Sequence, residues 1–491
     1  MFDSILAGFA VLFQPFYFTM LLSGVLTGII VGILPGVGGS VGIAVCLPFL
    51  AYLDPAGAIA FLIGLSAVTT TADTITCVLL AIPGTSGSVA TIVDGHPMAR
   101  KGEAARALSA SFMASCLGGI FGAVILSLSI PIMGPLVKQF GSPEFLMLTM
   151  LGISAVSILS GGQPLKGLIS AGIGLMLGSI GGAELTPYFR YTFGVLYLHD
   201  GIHLILLALG VFGVAEIMDL IVRGLPIAGK FGMGRGVISG IKDTIRHKWL
   251  ILRCAIIGVY IGFVPGMGTS VANWLGYGHA IQSAKGKGNF GNGDIRGVIA
   301  PEAANNAARG GELIPTLLFG VPGSGSMALL LVAFIMFGIF PGPDMLTKNL
   351  NLVFEVVWSL LLGNVIGAVL CLFLAKYFAR VATIRINILA PFVIIVIVMG
   401  AFQATQEWGD LFTLLLLGIL GWIMKQTGFG RPPLIVGFVL GKLAERYLGL
   451  TLQLYGISWL LRPWVIVINI LLFITIYYGV KWQKKKNQTE K

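Results

Sequence analysis

Charged residues are scarce in this chain of 491 residues, since Asp, Glu, Lys and Arg together make up 10% of it. Soluble proteins carry about 25%. Hydrophobic residues make up 56%. This balance excludes a soluble globular enzyme or a nucleic-acid-binding domain, and it favours a polytopic membrane protein. The fold class we predict is all-α, because a helix satisfies its own backbone hydrogen bonds in lipid.

Cysteine is also rare, and the five cysteines lie far apart in or near apolar segments, at positions 46, 77, 116, 254 and 371. None forms a CxxC pair, so the sequence indicates neither a disulfide framework nor a zinc site. HExxH, Walker and dinucleotide-binding motifs are absent from the sequence as well. ATP-driven transport within this chain is therefore not supported. We expect no cofactor and no metal, apart from Na⁺ or H⁺ as a coupling ion.

The net charge of +11 comes from basic residues in short loops and near the C-terminus. A basic stretch between the two halves runs from Arg223 to Arg253, and the last residues include Lys484, Lys485 and Lys486. Basic loops of this kind mark the cytoplasmic side of a membrane protein. The charge therefore predicts membrane topology and not a nucleic-acid partner.

Glycine is abundant, at 69 residues, and it concentrates in four Pro-Gly loops inside apolar segments. LPGVGGS at 34–40 returns as VPGMGTS at 264–270, which is an offset of 265 − 35 = 230. IPGTSGS at 82–88 returns as VPGSGS at 321–326, which is an offset of 322 − 83 = 239. Pro and Gly break helices, and matched breaks in the two halves of a membrane protein predict a transport site.

The apolar runs predict about 12–15 membrane segments, half-crossings included. Basic loops in one half correspond to weakly charged or acidic loops in the other, as at Arg100 and Lys101 against Asp344 and Lys348. This alternation predicts two repeats of inverted topology with broken or re-entrant helices, a periplasmic N-terminus and a cytoplasmic C-terminus. Lys442, Arg446 and Arg462 fall on the predicted outer side without explanation. The predicted divisions are a first repeat at 1–222, a basic cytoplasmic linker at 223–248, a second repeat at 249–450, and a C-terminal transmembrane helix with a Lys-rich tail at 451–491.

Each Pro-Gly loop can expose N–H groups at a helix N-terminus, where anions bind favourably. We therefore predict that the loops bind a carboxylate substrate. The predicted substrate-binding residues are Gly36, Gly38, Gly39, Ser40, Pro83, Gly84, Thr85, Ser86, Gly266, Gly268, Thr269, Ser270, Pro322, Gly323 and Ser324.

The segments that precede the second loop of each half are unusually polar for buried helices. Asp73 and Glu312 correspond at the offset of 239, and a carboxylate inside a membrane is functional by default. Neutral Thr and Asn side chains suit Na⁺ or substrate carboxylates. The predicted cation-binding residues are Thr70, Thr71, Asp73, Asn305, Asn306 and Glu312.

Two enzyme-like patterns in the sequence support functions other than transport, but only weakly. GTSG at 84–87 matches the GxSG pattern of intramembrane serine proteases, in which Ser86 would need a histidine base. His199 and His203 have metal-like spacing at a predicted outer interface. The counterpart of GTSG in the second half is another Gly/Ser turn, which a transporter explains and a protease does not. We therefore predict that the protein is not an enzyme.

At these motifs the sequence resembles the TctA family, the large membrane subunit of the tripartite tricarboxylate transporters. The resemblance rests on LPGVGGS, on the segment 82–108, and on the segment 300–331 with GIFPGP at 338–343. The family motif residues correspond here to Gly36, Gly38, Pro83, Gly84, Gly266, Gly268, Asn305, Asn306, Pro322 and Gly323.

The resemblance implies cation-coupled import of a tricarboxylate or related organic acid across the bacterial inner membrane. It also implies two partners, namely a small TctB-like membrane subunit and a periplasmic TctC-like substrate-binding protein. One local departure is the Thr-rich run at 69–74, where family members often have small or aromatic residues. For that reason we do not assume citrate as the substrate. A single-component carboxylate symporter is the alternative reading.

Overall fold

The computed structural model describes residues 2–34, 38–82, 84–137, 139–159, 163–183, 187–223, 236–284, 288–381 and 386–489. The described chain is built almost wholly from helices. The first six are α1 (Phe2–Leu12), α2 (Pro15–Ile33), α3 (Gly38–Leu50), α4 (Pro55–Ala72), α5 (Thr74–Leu80) and α6 (Val89–Arg100). A 3-10 turn at Ser86–Ser88 precedes α6. Asp54 caps α4 by accepting a hydrogen bond from the amide of Gly57.

Five further helices complete the first half: α7 (Ala104–Val137), α8 (Ser142–Leu159), α9 (Pro164–Gly178), α10 (Leu204–Ala208) and α11 (Ala215–Arg223). A π-helical segment, Leu209–Val214, joins α10 to α11. Two short antiparallel strands, β1 (Gly181–Gly182) and β2 (Phe189–Arg190), lie in the connection between α9 and α10.

The second half begins with α12 (Val237–Arg246), α13 (Lys248–Phe263), α14 (Gly268–Ser283), α15 (Arg296–Phe319), α16 (Gly325–Met336) and α17 (Pro343–Thr347). It continues with α18 (Leu350–Val381), α19 (Ile386–Thr405), α20 (Trp408–Gln426), α21 (Arg431–Tyr455) and α22 (Pro463–Thr489). The predicted linker at 223–248 therefore contains a helix, α12, while residues 224–235 lie outside the described ranges.

Within the described ranges, five helical stretches are long and apolar enough to cross a membrane: Pro15–Ile33, Pro55–Leu80, Ala104–Val137, Leu350–Ala375 and Trp408–Gln426. Shorter apolar helices, including α3 and α16, accompany them. The predicted class, an all-α polytopic membrane protein, is confirmed. The total number of crossings stays a prediction.

Glycines bring two pairs of helices into backbone contact. In the first half, a Cβ added at Gly28 or Gly32 of α2 would lie 2.5 Å from the carbonyl oxygen of Leu65 or Thr69 of α4. In the second half, Gly258 and Gly262 of α13 approach the carbonyl oxygens of Ala304 and Ala308 of α15 in the same way. The contacts advance together along both chains, so each pair is parallel. Since α3 connects the end of α2 to the start of α4, α2 and α3 must form a hairpin that folds back.

Helices of one half pack on helices of the other half in matching pairs. Helix α15 packs along α7, and α4 packs along α18. Helix α12 packs on α7, as α1 packs on α18. The central helices of each half are thus held by the long helix of the other half, and this arrangement brings the Pro-Gly loops together.

Candidate functional site

The first loop of one half meets the second loop of the other. Ser40, in the first turn of α3, lies 3.1 Å from Ser326 in the first turn of α16, measured between the hydroxyl oxygens. The second loop of the first half meets the first loop of the second half in a similar way. A Cβ added at Gly87 would lie 2.6 Å from Oγ1 of Thr269 in the first turn of α14. The starts of α3, α16, α14 and the turn before α6 therefore surround a single region.

Further contacts join the first and second loops within each half. A Cβ added at Gly38 would lie 3.5 Å from Cγ2 of Thr85, and one added at Gly268 would lie 3.8 Å from Cβ of Ser324. Both glycines have positive φ, 63° and 65°. The amide of Gly266 also donates a 3.1 Å hydrogen bond to the carbonyl oxygen of Gly323. All four loops are thus in contact through their described residues.

A hydroxyl and a carboxylate hold each second loop. Thr85 donates a 2.7 Å hydrogen bond to Oδ2 of Asp73, and its Oγ1 accepts one from the amide of Gly87. Ser324 donates a 3.0 Å hydrogen bond to Oε2 of Glu312, and its Oγ accepts one from the amide of Met327. The two hydroxyl–carboxylate pairs correspond at the offset of 239.

The helix that enters each second loop ends in the left-handed conformation. Ala81 has φ 55° and Gly320 has φ 67°, and their amides donate to the carbonyl oxygens of Thr76 and Pro315. The chain then folds back over the carboxylate. A Cβ added at Gly84 would overlap Asp73, and one added at Gly323 would lie 3.0 Å from Cγ of Glu312. Glycine is required at both positions because the loop backbone lies directly on the carboxylate side chain.

The two carboxylates differ in charge compensation. Arg309 lies 3.2 Å from Oε2 of Glu312, and this ion pair is buried, with exposed fractions of 5% and 0%. At the offset of 239, the position of Arg309 corresponds to Thr70 in the first half. Asp73 is fully buried and has no ion-pair partner within 4 Å among the described residues. Its Oδ1 has no hydrogen-bond partner there, nor does Oε1 of Glu312.

Comparison of the sequence with models of protein families finds a transporter family. A family model described as the tripartite tricarboxylate transporter TctA family matches residues 18–436. The chain belongs to the TctA family. The predicted resemblance is therefore confirmed, and a family of transporters accords with the prediction that the protein is not an enzyme.

Two relatives from Agrobacterium vitis are similar to this TctA-family chain. An uncharacterized 52.8 kDa protein in the TAR-I ttuC' 3' region is 33% identical over 445 residues, which is 90% of this chain and 88% of the relative. An uncharacterized protein in the TAR-II ttuC' 3' region is 36% identical over 191 residues, which is 39% of this chain and 79% of the relative. No solved structure matches the chain.

Asn306 joins the halves of this TctA-family protein through its side-chain amide. Its Oδ1 accepts a 3.0 Å hydrogen bond from Thr70, and its Nδ2 donates to Thr71 and to Asn364 of α18. Thr70, Thr71 and Asn306 were predicted as cation ligands, and the structure gives each a protein hydrogen-bond partner. Their role as cation ligands stays a prediction.

Asn305, the neighbouring residue, is in the opposite situation. It is fully buried, and neither its Oδ1 nor its Nδ2 has a hydrogen-bond partner among the described residues. Its Oδ1 would lie 3.1 Å from a Cβ added at Gly87, beside Thr269. Leaving a buried polar group unpaired costs about 1–3 kcal/mol. Asn305 is therefore available to a ligand at the junction of the loops.

The remaining predicted residues fall on the same loops. Gly39 lies in the first turn of α3, next to the Thr69 side chain, and Ser270 lies in the first turn of α14. Pro322 lies in the turn between α15 and α16. Gly36, Pro83 and the side chain of Ser86 lie outside the described residues.

The structure adds one carboxylate that the sequence prediction omitted. Glu302 of α15 is fully buried, and it accepts hydrogen bonds from Thr91 of α6 at 2.6 Å and from Ser115 of α7 at 2.9 Å. The signal was present, because Glu302 is a carboxylate in an apolar helix, as Asp73 is. Its partners lie far away in sequence, so its position between α6 and α7 could not be predicted.

Proposed function

We propose that this chain is the permease subunit of a tripartite tricarboxylate transporter that imports a carboxylate by using a Na⁺ or H⁺ gradient. It would act in the bacterial inner membrane with a small TctB-like membrane subunit and a periplasmic TctC-like binding protein. The observation that carries the proposal is the convergence of four matched Pro-Gly loops on one buried region. Broken helices that meet in this way characterise the sites of secondary transporters.

The two halves would be repeats of inverted topology. The same hydroxyl–carboxylate pair, left-handed helix end and glycine contacts recur at fixed offsets, which supports a structural repeat. The basic loops support a cytoplasmic location for the segment between the halves and for the Lys-rich C-terminal tail, with a periplasmic N-terminus. Helix α12 would then open the second repeat as α1 opens the first, since each packs on the long helix of the other half.

Substrate carboxylates would bind at the starts of α3, α6, α14 and α16. The first four N–H groups of a helix have no partner within it, and each helix start carries about half a positive charge. The Ser40 and Ser326 hydroxyls, which face each other, add two donors of adjustable orientation. Several helix ends together can compensate a multiply charged organic acid without a permanent cation in its path.

The coupling cation would act in the first half, where no basic side chain among the described residues lies within 4 Å of the Asp73 carboxylate. Arg309 neutralises Glu312, whereas Asp73 has no equivalent. A Na⁺ ion or a proton at Asp73 would take the place that Arg309 fills in the second half, and the unpaired Asn305 amide would supply a neutral oxygen. Without that cation the site would retain an uncompensated buried charge, and this charge would disfavour movement of the site across the membrane. The requirement for compensation would couple substrate import to the ion gradient.

Reconstitution tests this proposal directly. We expect proteoliposomes that contain this chain and its small subunit to take up one of radiolabelled citrate, malate or succinate only with the cognate binding protein and an inward Na⁺ or H⁺ gradient. Uptake without the binding protein would favour the single-component symporter. Absence of uptake of all three acids under every gradient would contradict carboxylate import.

A further inference from the structure

A cavity with a mostly apolar lining and a few charged side chains lies away from the four loops. It has a volume of about 390 Å³, within the range of roughly 300–1,000 Å³ typical of small-molecule sites. Its walls come from the segment 200–205, the C-terminal half of α16 and the middle of α21. Among the lining residues are Lys442, Arg446, His203 and Asp200.

Lys442 and Arg446 give this cavity its charge. They are four residues apart on α21, so their side chains lie on one face of the helix. Neither has a carboxylate within 4 Å among the described residues, whereas Arg431 on the same helix pairs with Glu216. The Arg446 guanidinium lies 5.6 Å from the ring centroid of Phe340, which restricts its orientation. Two basic groups thus face a cavity that holds one carboxylate, that of Asp200.

His203 adds a third polar group. Its Nδ1 is buried and has no hydrogen-bond partner among the described residues. Burial lowers the pKa of His203, and Lys442 acts in the same direction against the opposing effect of Asp410. A neutral imidazole can donate one hydrogen bond to an anion held by the two basic side chains.

The cavity is connected to the loop site by a pair of helices. A Cβ added at Gly325, at the start of α16, would lie 2.9 Å from Pro432, at the start of α21. Val332 and Met336 of α16 line the cavity together with Phe438 of α21. At about 1.5 Å per helical residue, the cavity lies roughly 15 Å from the loops.

The proposed topology places this cavity at the periplasmic face, where basic residues are disfavoured. Arg462, the other basic residue left unexplained on that side, forms a 2.6 Å ion pair with Glu144. Lys442 and Arg446 have no such structural partner, so their presence there calls for a ligand.

We propose that this cavity is an outer vestibule, in which Lys442 and Arg446 hold the carboxylate groups of an incoming organic acid before it reaches the loops. The proposal rests on the proposed import function. It assigns a second substrate site that differs from the loop site in using permanent positive charges.

The test compares Lys442→Gln/Arg446→Gln with wild type in reconstituted uptake of citrate, malate and succinate. We expect KM for the transported acid to rise about tenfold, as for loss of charge-assisted hydrogen bonds, while the maximal rate stays within about twofold. Lys442→Arg/Arg446→Lys retains both charges and should keep KM near the wild-type value. It also shows whether the cavity tolerates substitution. Lys348→Gln is the matched control, since this exposed residue lies on the same face and outside the cavity.

An unchanged KM in the double variant would overturn the vestibule, as would an equal rise in Lys348→Gln, which would indicate only general surface charge. If Lys442→Gln/Arg446→Gln does not fold, an equal loss in the charge-retaining variant would likewise overturn it. Wild-type uptake in the same assay separates the two proposals. Uptake by wild type with no effect of the substitutions removes the vestibule alone, whereas no uptake by wild type removes carboxylate import and the vestibule together.

Discussion

The hydroxyl of Thr85 donates a 2.7 Å hydrogen bond to the carboxylate of Asp73, twelve residues earlier in the chain. The same hydroxyl accepts a hydrogen bond from the amide of Gly87 and so caps the turn before α6. Thr85 therefore links the buried carboxylate to the loop that folds over it. A substitution of Thr85 should change the environment of Asp73, and a substitution of Asp73 should change that of Thr85.

Thr85→Ala should weaken this link. Loss of the cap costs about 1 kcal/mol, and the carboxylate loses its donor, so we expect uptake to fall about tenfold. Thr85→Ser should retain most uptake, because Ser324 performs the same role in the second half. Thr19→Ala, which removes an exposed hydroxyl bonded only to its own helix, is the control. Equal initial rates for the Ala and Ser variants would contradict the assignment.

Gly84→Val and Gly323→Val should each abolish uptake without loss of expression. A side chain at Gly84 would overlap Asp73, and one at Gly323 would press on Glu312 and on the carbonyl oxygen of Gly262. The loops would have to leave the carboxylates. Gly278→Val is a matched control, since a Cβ there meets no atom within 4 Å. The measurement compares the initial uptake rates of these variants with wild type, normalised to the amount of the protein in the membrane. Normal rates in both loop variants would remove these loops from the mechanism.

Asn305→Ala and Asn306→Ala should have different effects although the residues are neighbours. Asn305→Ala removes an amide without protein partners, so stability should be kept while the Na⁺ or pH dependence of uptake changes. Asn306→Ala removes the hydrogen-bond partner of the Thr70 and Thr71 hydroxyls and of Oδ1 of Asn364, and it should destabilise the protein by about 1–3 kcal/mol. Thermal unfolding of the purified variants and ion titrations of uptake measure the two effects. An unchanged ion profile for Asn305→Ala would count against its role as a ligand.

The different environments of Asn305 and Asn306 could not be predicted from the sequence. Both asparagines lie in one polar run, and the run alone predicted cation ligands at both positions. Successive residues on a helix point about 100° apart, so Asn306 faces α4 and α18 while Asn305 faces the loop junction. Which of the two retains a free amide depends on helices far away in sequence.

The fold was predictable where the sequence is strongly apolar. The apolar stretch that follows the basic linker forms α13 (Lys248–Phe263), and the helices α2 and α13 end at the Pro-Gly motifs, as the sequence predicts. Helices α6 and α12 were not predicted, because their sequences are too polar for a membrane segment. Each is nevertheless held by tertiary contacts: Thr91 of α6 bonds to Glu302, and Asp243 of α12 pairs with Arg106 at 2.7 Å.

Arg309→Met should destabilise the protein, because it leaves Glu312 as an unpaired charge in a buried site. Removing one partner of a buried ion pair costs about 3–5 kcal/mol. The double variant Arg309→Met/Glu312→Gln should recover much of that loss, since no buried charge remains. The midpoint of thermal unfolding in detergent compares the three proteins. Failure of the double variant to recover would show that Arg309 stabilises the protein through contacts other than this ion pair.

Asp73→Asn should uncouple uptake from the ion gradient. The amide keeps the size of the carboxylate and can still accept the Thr85 hydrogen bond, so the loop should stay in place. It needs no compensating cation, and so the requirement for Na⁺ or H⁺ should disappear while downhill substrate exchange continues. Asp54→Asn is the matched control, because this residue caps α4 at the opposite end of the helix and should change stability at most slightly. The measurement compares gradient-driven accumulation with substrate exchange in proteoliposomes. Accumulation by Asp73→Asn at the wild-type level would place the coupling ion elsewhere. Glu302 of α15, a fully buried carboxylate without an ion pair among the described residues, would then be the next position to substitute.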